Sequence, residues 1–200
     1  MPNSYPSEFL DTELDPGLLS TPFKVQTKWH VITGASCSGK STLIGQLDNH
    51  GFKTVPEVAR QYYDEELAKG RKIEDIRKDR ESVTIQCYNR MVRNERGLPA
   101  SEVIFFDRAL PDIFVFFRYA GMNPNEFLLD CFQYRYASVF ILDRLPYQRD
   151  RVRVSNDRIA ENYDFWISRD YKALGYNTVR VPVLPPEERL AFVLERLPEE

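Results

Sequence analysis

Long apolar runs are missing from this chain. Runs such as Val103–Phe106 and Ile113–Phe117 fall far below the ~20 residues of a membrane-spanning helix, so no such span is expected. Cysteine is scarce. Cys37, Cys87 and Cys131 stand at no metal-ligand spacing, and the start MPNSYPSEFL lacks the basic and apolar regions of a secretory leader. The expected setting is therefore reducing and cytoplasmic. A basic excess is lacking too: 27 Lys plus Arg against 30 Asp plus Glu leave a net charge of −3. That argues against a general nucleic-acid binder. Repeats and low-complexity tracts are absent, and the two histidines, His30 and His50, have no Cys or acid at ligand spacing and read as structural. What the chain has is apolar content of 42% with 13 Phe and 11 Tyr in 200 residues, ample for one folded domain.

Residues 1–23 contain four acids, four prolines and no Lys or Arg. They read as an acidic N-terminal extension ahead of a domain over 24–200. Disorder is the expectation for it, with docking through Phe9, Leu10, Leu14, Leu18 and Leu19 as the competing reading. From residue 24 short apolar runs alternate with longer amphipathic ones, the pattern of parallel strands joined by helical crossovers. Five runs read as strands: Trp29–Thr33, Phe52–Val55, Val103–Asp107, Ser138–Leu142 and Thr178–Val183. Over 72–96, Ile73, Ile76, Val83, Cys87 and Met91 recur on one helical face and predict a core-facing helix. Leu190, Val193, Leu194 and Leu197, entered through Pro185–Pro186, predict a closing surface helix.

The first strand runs straight into GASCSGKST, Gly34 to Thr42, which satisfies G-x-x-x-x-G-K-[ST] at Gly34, Gly39, Lys40 and Ser41. Glycines let backbone N–H groups turn inward around phosphate oxygens, and the helix that follows presents its positive end. Ala35, Ser36, Cys37 and Ser38 keep the loop small. Lys40 is expected to stand exposed in the cradle and reach the outer phosphates, while Ser41 offers a hydroxyl to Mg²⁺, with Thr42 beside it. Cys37 is a candidate for oxidation by its place in the loop alone.

Ligands of open parallel sheets bind beyond the carboxyl ends of the strands, and three predicted strands end in acids. Asp107 closes Val-Ile-Phe-Phe and suits a Mg²⁺-directed carboxylate. Arg108 can fork onto an anionic group of substrate, or pair structurally with Asp112 or Glu57. Glu57 can take the proton from an attacking hydroxyl, or cap the next helix. Arg60, one turn on, is a weaker candidate on the same face, and Asp143 reads as a cap or ion-pair partner. Between Arg144 and Arg158 five Arg meet two Asp. Arg149, Arg151 and Arg153 there read as a lid, about 144–158, that closes over a nucleotide; a solvated basic loop is the competing reading. Tyr62, Tyr63, Phe114, Phe117 and Tyr119 could stack on a base but fit core positions better.

GASCSGKST, VPEVAR (Val55–Arg60), FFDRALPD (Phe105–Asp112), VFILDR (Val139–Arg144) and LGYNTVRVP (Leu174–Pro182) together resemble the NadR-like P-loop kinase and ATPase family, from about Lys28 to Leu197. The resemblance implies a three-layer α/β sandwich with a five-stranded parallel sheet of order 2-3-1-4-5 and ATP and Mg²⁺ as cofactors. Two positions depart from the family's habit: Ala35-Ser36-Cys37 where glycine or proline is frequent, and Ala109 where Gly follows the Asp-Arg pair. The expected activity is phosphoryl transfer from ATP to a hydroxyl of a small metabolite, nucleoside or nucleoside-like. Catalytic roles would fall to Lys40, Glu57, Asp107 and the lid arginines, Mg²⁺ to Ser41 and Asp107, and acceptor contacts to Glu57, Arg60, Arg108 and Asp112. The alternative is a nucleotide-binding regulator or slow NTPase acting through a protein or lipid partner; the absence of N-K-x-D and of D-x-x-G near the third strand counts against it.

Overall fold

The computed structural model describes residues 9–145 and 157–198. A one-turn helix α1 (Pro16–Leu19) starts with proline in its first turn, and the Asp15 carboxylate accepts from the amides of Gly17 and Leu18. The short β1 (Val25–Gln26) leads to β2 (Trp29–Thr33), every residue of which is buried. Next come α2 (Lys40–Asn49), β3 (Lys53–Val55), α3 (Val58–Ala68), α4 (Ile73–Lys78), α5 (Arg80–Arg96) and β4 (Ile104–Asp107). A 3₁₀ turn, Leu110–Asp112, runs into α6 (Ile113–Tyr119), and a 3₁₀ stretch, Pro124–Phe132, precedes β5 (Tyr134–Arg135) and β6 (Ser138–Leu142). The chain closes with α7 (Asp157–Ala173), β7 (Thr178–Val181) and α8 (Pro186–Leu194).

Five strands form one parallel sheet in the order β3-β4-β2-β6-β7. Numbered among themselves, they run 2-3-1-4-5. A second, two-stranded parallel ladder joins β1 to β5. Side chains alternate across the main sheet, as the strand period of two requires. Trp29, Val31, Ile104, Phe106, Val139 and Ile141 belong to one core cluster, with Val83 of α5, Phe114 of α6 and Trp166 of α7. Ile32, Phe105, Phe140 and Leu142 belong to the other, with Leu43 and Leu47 of α2 and Leu190 and Val193 of α8. Helices thus cover both faces, the arrangement that parallel sheets need.

Three expectations need correction. The helix over 72–96 is two helices, broken at Asp79, whose backbone (φ −88°, ψ 52°) leaves the helical region. The Asp79 carboxylate receives Arg71 at 3.3 Å, and its carbonyl accepts from Val83 to start α5. The last strand stops at Val181 rather than Val183, where Pro182 has no N–H for the ladder. Most consequential is the acidic extension: its described part, residues 9–23, is packed on the domain rather than disordered. Leu14 is buried in the core, with Phe9, Leu18, Leu19 and Phe23 against it. The Leu10 amide donates to the Arg118 carbonyl, and Arg118 Nε donates to the Thr12 carbonyl at 2.9 Å. Arg118 is wholly buried, forms a two-pronged pair with Asp170 at 2.6 and 2.8 Å, and lies over the Trp166 ring. A buried guanidinium needs every N–H engaged, and the extension supplies one of the acceptors.

Glu95, near the end of α5, is buried where Tyr136 Oη donates to it at 2.7 Å and the Leu110 amide at 3.3 Å. Burial raises its pKa to about 7. Because the folded state holds this proton more tightly than the unfolded chain, stability should fall as pH rises from about 4.5 to about 7 and stay low above that. Glu95→Gln keeps the acceptor oxygen and removes the charge. It should raise stability at pH 8 by on the order of 1–3 kcal/mol, read as a higher melting temperature, and lose that advantage near pH 4.5. Thermal melts across this range that show a constant difference would contradict the assignment.

Candidate active site

The phosphate loop is forced by its neighbours. At Gly34 (φ +134°) a Cβ would stand 2.6 Å from the Leu142 carbonyl oxygen, so β2 can turn away from β6 there only with glycine. Gly39 (φ +84°) starts α2, and a Cβ on it would meet Arg189 Nη1 at 2.8 Å. Cys37 (φ +63°) is also left-handed, and its thiol is exposed. No acid occupies the first turn of α2, so the helix presents an uncompensated positive end to the loop.

Lys40 is not exposed as expected but buried. Its Nζ donates to the carbonyls of Gly34 (3.0 Å) and Ala35 (2.9 Å) and to Ser38 Oγ (3.4 Å). Desolvation lowers its pKa to about 8, with Arg108 acting in the same direction and Glu57, Asp107 and Asp112 opposing. The ammonium therefore spans the loop from within and already lies among the groups that would meet a phosphate.

Behind the loop sits a group the sequence reading missed. Arg189 of α8, 4% exposed, donates from Nη1 to the Ser38 carbonyl at 2.6 Å and from Nη2 to the Pro182 carbonyl at 3.3 Å. It ties the last helix to the loop across 151 residues of sequence, a distance no local pattern could bridge.

Asp107 ends β4, and Ser41 Oγ donates to its Oδ2 at 3.4 Å. Its Oδ1 is buried with no hydrogen-bond partner. Desolvation and the nearby Glu57 charge raise its pKa. Lys40, Arg108, Glu57, Asp107 and Asp112 form one cluster of two cations and three acids, and among its members Asp107 alone carries an orphaned oxygen. A hydroxyl beside an unsatisfied carboxylate oxygen, in a cluster one positive charge short of balance, fits a Mg²⁺ site. Among the described residues no group of three or more His, Cys, Asp or Glu is placed to hold a metal ion.

Glu57 stands at the N-cap of α3, yet its side chain makes no capping bond. It turns instead to Arg108, whose Nε donates to Oε1 at 3.0 Å. Burial opposes its charge, but Arg108 and then Lys40 outweigh that and hold the carboxyl below its ordinary value. Arg108, 7% exposed and left-handed at φ +68°, also donates to Asp112 at 3.3 Å. Of the two readings open for Arg108, structural pairing holds, and with both acids at once. Asp112 is correspondingly enclosed. Thr33, Tyr171, the Ala109 amide and Arg108 all donate to it, and it lines the same cavity as Glu57 and Arg108. Arg60 is exposed and does not line the site, although its charge helps to lower Glu57. Arg149, Arg151 and Arg153 lie outside the described residues.

The Glu57–Arg108 pair forms one end of a cavity of about 240 Å³ between α3, α4, α5, α6 and α7. Tyr63, Phe116, Tyr119 and Tyr163 give it aromatic walls, and Arg77 and Arg80 reach it from either side of the Asp79 break. Val83, Cys87 and Met91, read as core from their periodicity, line it as well; Tyr62, Phe114 and Phe117 are core. Phe116, Tyr163, Arg77 and Arg80 were not singled out. The break at Asp79 was the available signal for the two arginines, since it turns them toward the same space.

With this geometry in view, the comparisons fall into place. The family model described as an AAA domain matches residues 29–189. The chain belongs to that family. No curated protein matches the sequence significantly. Among solved structures the AAA domain is similar to a deoxyadenosine kinase from M. mycoides with the products dCMP and a flexible dCDP bound: 14% identity, TM-score 0.54, covering 84% of this chain and 97% of that one. It is also similar to a NadR protein in complex with NR, at 17% identity and TM-score 0.58, covering 87% of this chain but only 52% of the other. At these identities the likeness is one of fold, the α/β P-loop kinase fold. No helix of the described residues is long and apolar enough to cross a membrane.

Two substitutions test the loop. Lys40→Ala should weaken Mg²⁺-ATP binding by at least about 100-fold, since it removes a charge-assisted contact. Arg189→Met should weaken it about tenfold by releasing the Ser38 carbonyl. Titration calorimetry reads both; unchanged affinity in Arg189→Met would show that the loop stands without α8.

Proposed function

We propose that this AAA domain is an ATP- and Mg²⁺-dependent kinase of a small hydroxyl-bearing metabolite, nucleoside-like in having a flat ring. The observation that carries the reading is the aromatic cavity that ends on the Glu57 carboxylate, in the same charged cluster as the phosphate-loop lysine. A regulator that only reports nucleotide state has no need of a second, ring-sized cavity at that place. The folds of the deoxyadenosine kinase and of the NadR protein support it as analogies.

In this reading the loop amides and Lys40 bind the β- and γ-phosphates, and Ser41 and Asp107 hold Mg²⁺, which when bound neutralises charge on the transferring group. Glu57, kept ionised by Arg108 and Lys40, accepts the hydrogen bond of the acceptor hydroxyl, orients its oxygen for in-line attack on the γ-phosphorus as the bond to ADP breaks, and takes the proton late in the transfer. Arg108 stays fixed between Glu57 and Asp112 and sets where that carboxylate points. The lid assigned to Arg149, Arg151 and Arg153 would exclude water over the reacting groups. Chemistry of this kind is mostly positioning and charge neutralisation. Arg77 and Arg80 line the same cavity as Glu57.

The experiment is a panel of nucleosides, sugars and vitamins offered with Mg²⁺-ATP, with ADP formation and the phosphorylated product measured together. One acceptor should give stoichiometric product. With it, Glu57→Gln should lower turnover about 10²–10⁴-fold with ATP affinity nearly unchanged. ATP hydrolysis without phosphorylation of any acceptor would favour the slow NTPase, and full activity in Glu57→Gln would remove that residue from the catalytic set.

A further inference from the structure

The N-terminal segment does more than cover apolar surface. Phe9 packs on two of the rings that line the cavity, Tyr119 of α6 at 5.1 Å and, edge to face, Tyr163 of α7 at 5.5 Å. Tyr163 in turn meets Phe116 edge to face at 5.2 Å, and Arg80 lies over the Tyr119 ring at 4.4 Å. Phe9 therefore packs on two rings that line the cavity without lining it itself. Just beyond Phe9 the segment is fixed by bonds that do not involve its ring. The Leu10 amide donates to the Arg118 carbonyl, Arg118 donates to the Thr12 carbonyl, Leu14 is buried, and the Asp15 amide donates to Asn125 Oδ1 at 2.8 Å. Glu13 adds an exposed pair with Arg169.

We propose that Phe9 is a positioning residue of the acceptor site: it holds Tyr119 and Tyr163 in place, so that acceptor affinity depends on the N-terminal segment while nucleotide affinity does not. Aromatic pairs of this geometry restrain one another by contact and by quadrupole alignment. Without Phe9 the two tyrosines lose a neighbour on the side away from the cavity and can rotate out of the wall, and the acceptor then binds a surface it must first reorder. The phosphate loop lies at the carboxyl end of β2, and none of its residues lines the cavity that these rings wall. The inference rests on the kinase reading, because only an acceptor makes the wall functional.

The test uses the acceptor found in the panel and compares the parent with Phe9→Ala and Phe9→Leu. Phe9→Ala should raise the acceptor KM about tenfold, with kcat at saturating acceptor within about twofold and ATP affinity unchanged. Phe9→Leu, which refills much of the space, should restore most of the loss. An unchanged KM in Phe9→Ala, or a parallel fall in ATP affinity and kcat that follows a lowered melting temperature, would overturn the proposal while leaving the kinase in place. Failure of the parent to phosphorylate any acceptor would overturn the kinase reading, and the proposal with it.

Discussion

A guanidinium buried at a strand end is the constraint on which the rest of the site depends. Arg108 follows the last residue of β4 in a left-handed conformation, a strain of about 1–3 kcal/mol for a residue other than glycine. Its charge could not be buried unpaired, and the two acids that hold it come from different elements: Glu57 from the start of α3 and Asp112 from the 3₁₀ turn before α6. Asp112 in turn is held by Thr33 at the end of β2 and by Tyr171 of α7. Through one cation the phosphate strand, the neighbouring strand and three helices are brought to a fixed separation. Removal of either acid would leave a buried charge partly uncompensated, a change that costs about 3–5 kcal/mol in comparable pairs.

The sheet divides the labour. Leu43, Leu47, Leu190 and Val193 put α2 and α8 on one face, and from there Arg189 supports the loop through its carbonyls. The helices α3 to α7 cover the other face or its rim, and the aromatic cavity lies between them. The strand ends join the two halves, and Asp107 stands there with Ser41 on one side and the Glu57 charge on the other.

Much of this was legible in the sequence because it is local. The loop from Gly34 to Thr42 carries its own geometry, and five apolar runs of strand length announce a parallel sheet. Glu57, Asp107 and Arg108 could be found because strand ends are where such folds bind ligands, but not paired, since Glu57 and Arg108 are 51 residues apart. Periodicity placed Val83, Cys87 and Met91 on an inward face and could not tell a core from a cavity wall, for both are apolar and both point inward. The docking of residues 9–15 was hidden for another reason. Its anchors, Arg118 and Asn125, lie more than a hundred positions away, and the acidic, proline-bearing composition describes the segment's surface rather than its buried Leu14. Lys40 was expected to stand exposed in an empty cradle, but the carbonyls of Gly34 and Ala35 take its ammonium in place of water.

The lowered pKa of Glu57 bears on how such a site would work. A general base gains proton affinity when its pKa approaches the working pH, and a carboxyl held down by Arg108 and Lys40 moves the other way. For an alcohol attacking phosphorus this is no handicap. The transition state is loose, little negative charge has left the attacking oxygen when the bond to the leaving group is broken, and the proton need move only late. What the carboxylate must do early is remain ionised, point at the hydroxyl and exclude alternative orientations. A partner that keeps it charged and fixes one of its oxygens serves that need better than one that raises its basicity. In the proposed kinase Arg108 would therefore support Glu57 as an orienting acceptor, and the rigidity that Asp112, Thr33 and Tyr171 give to Arg108 would be passed on to the attacking oxygen.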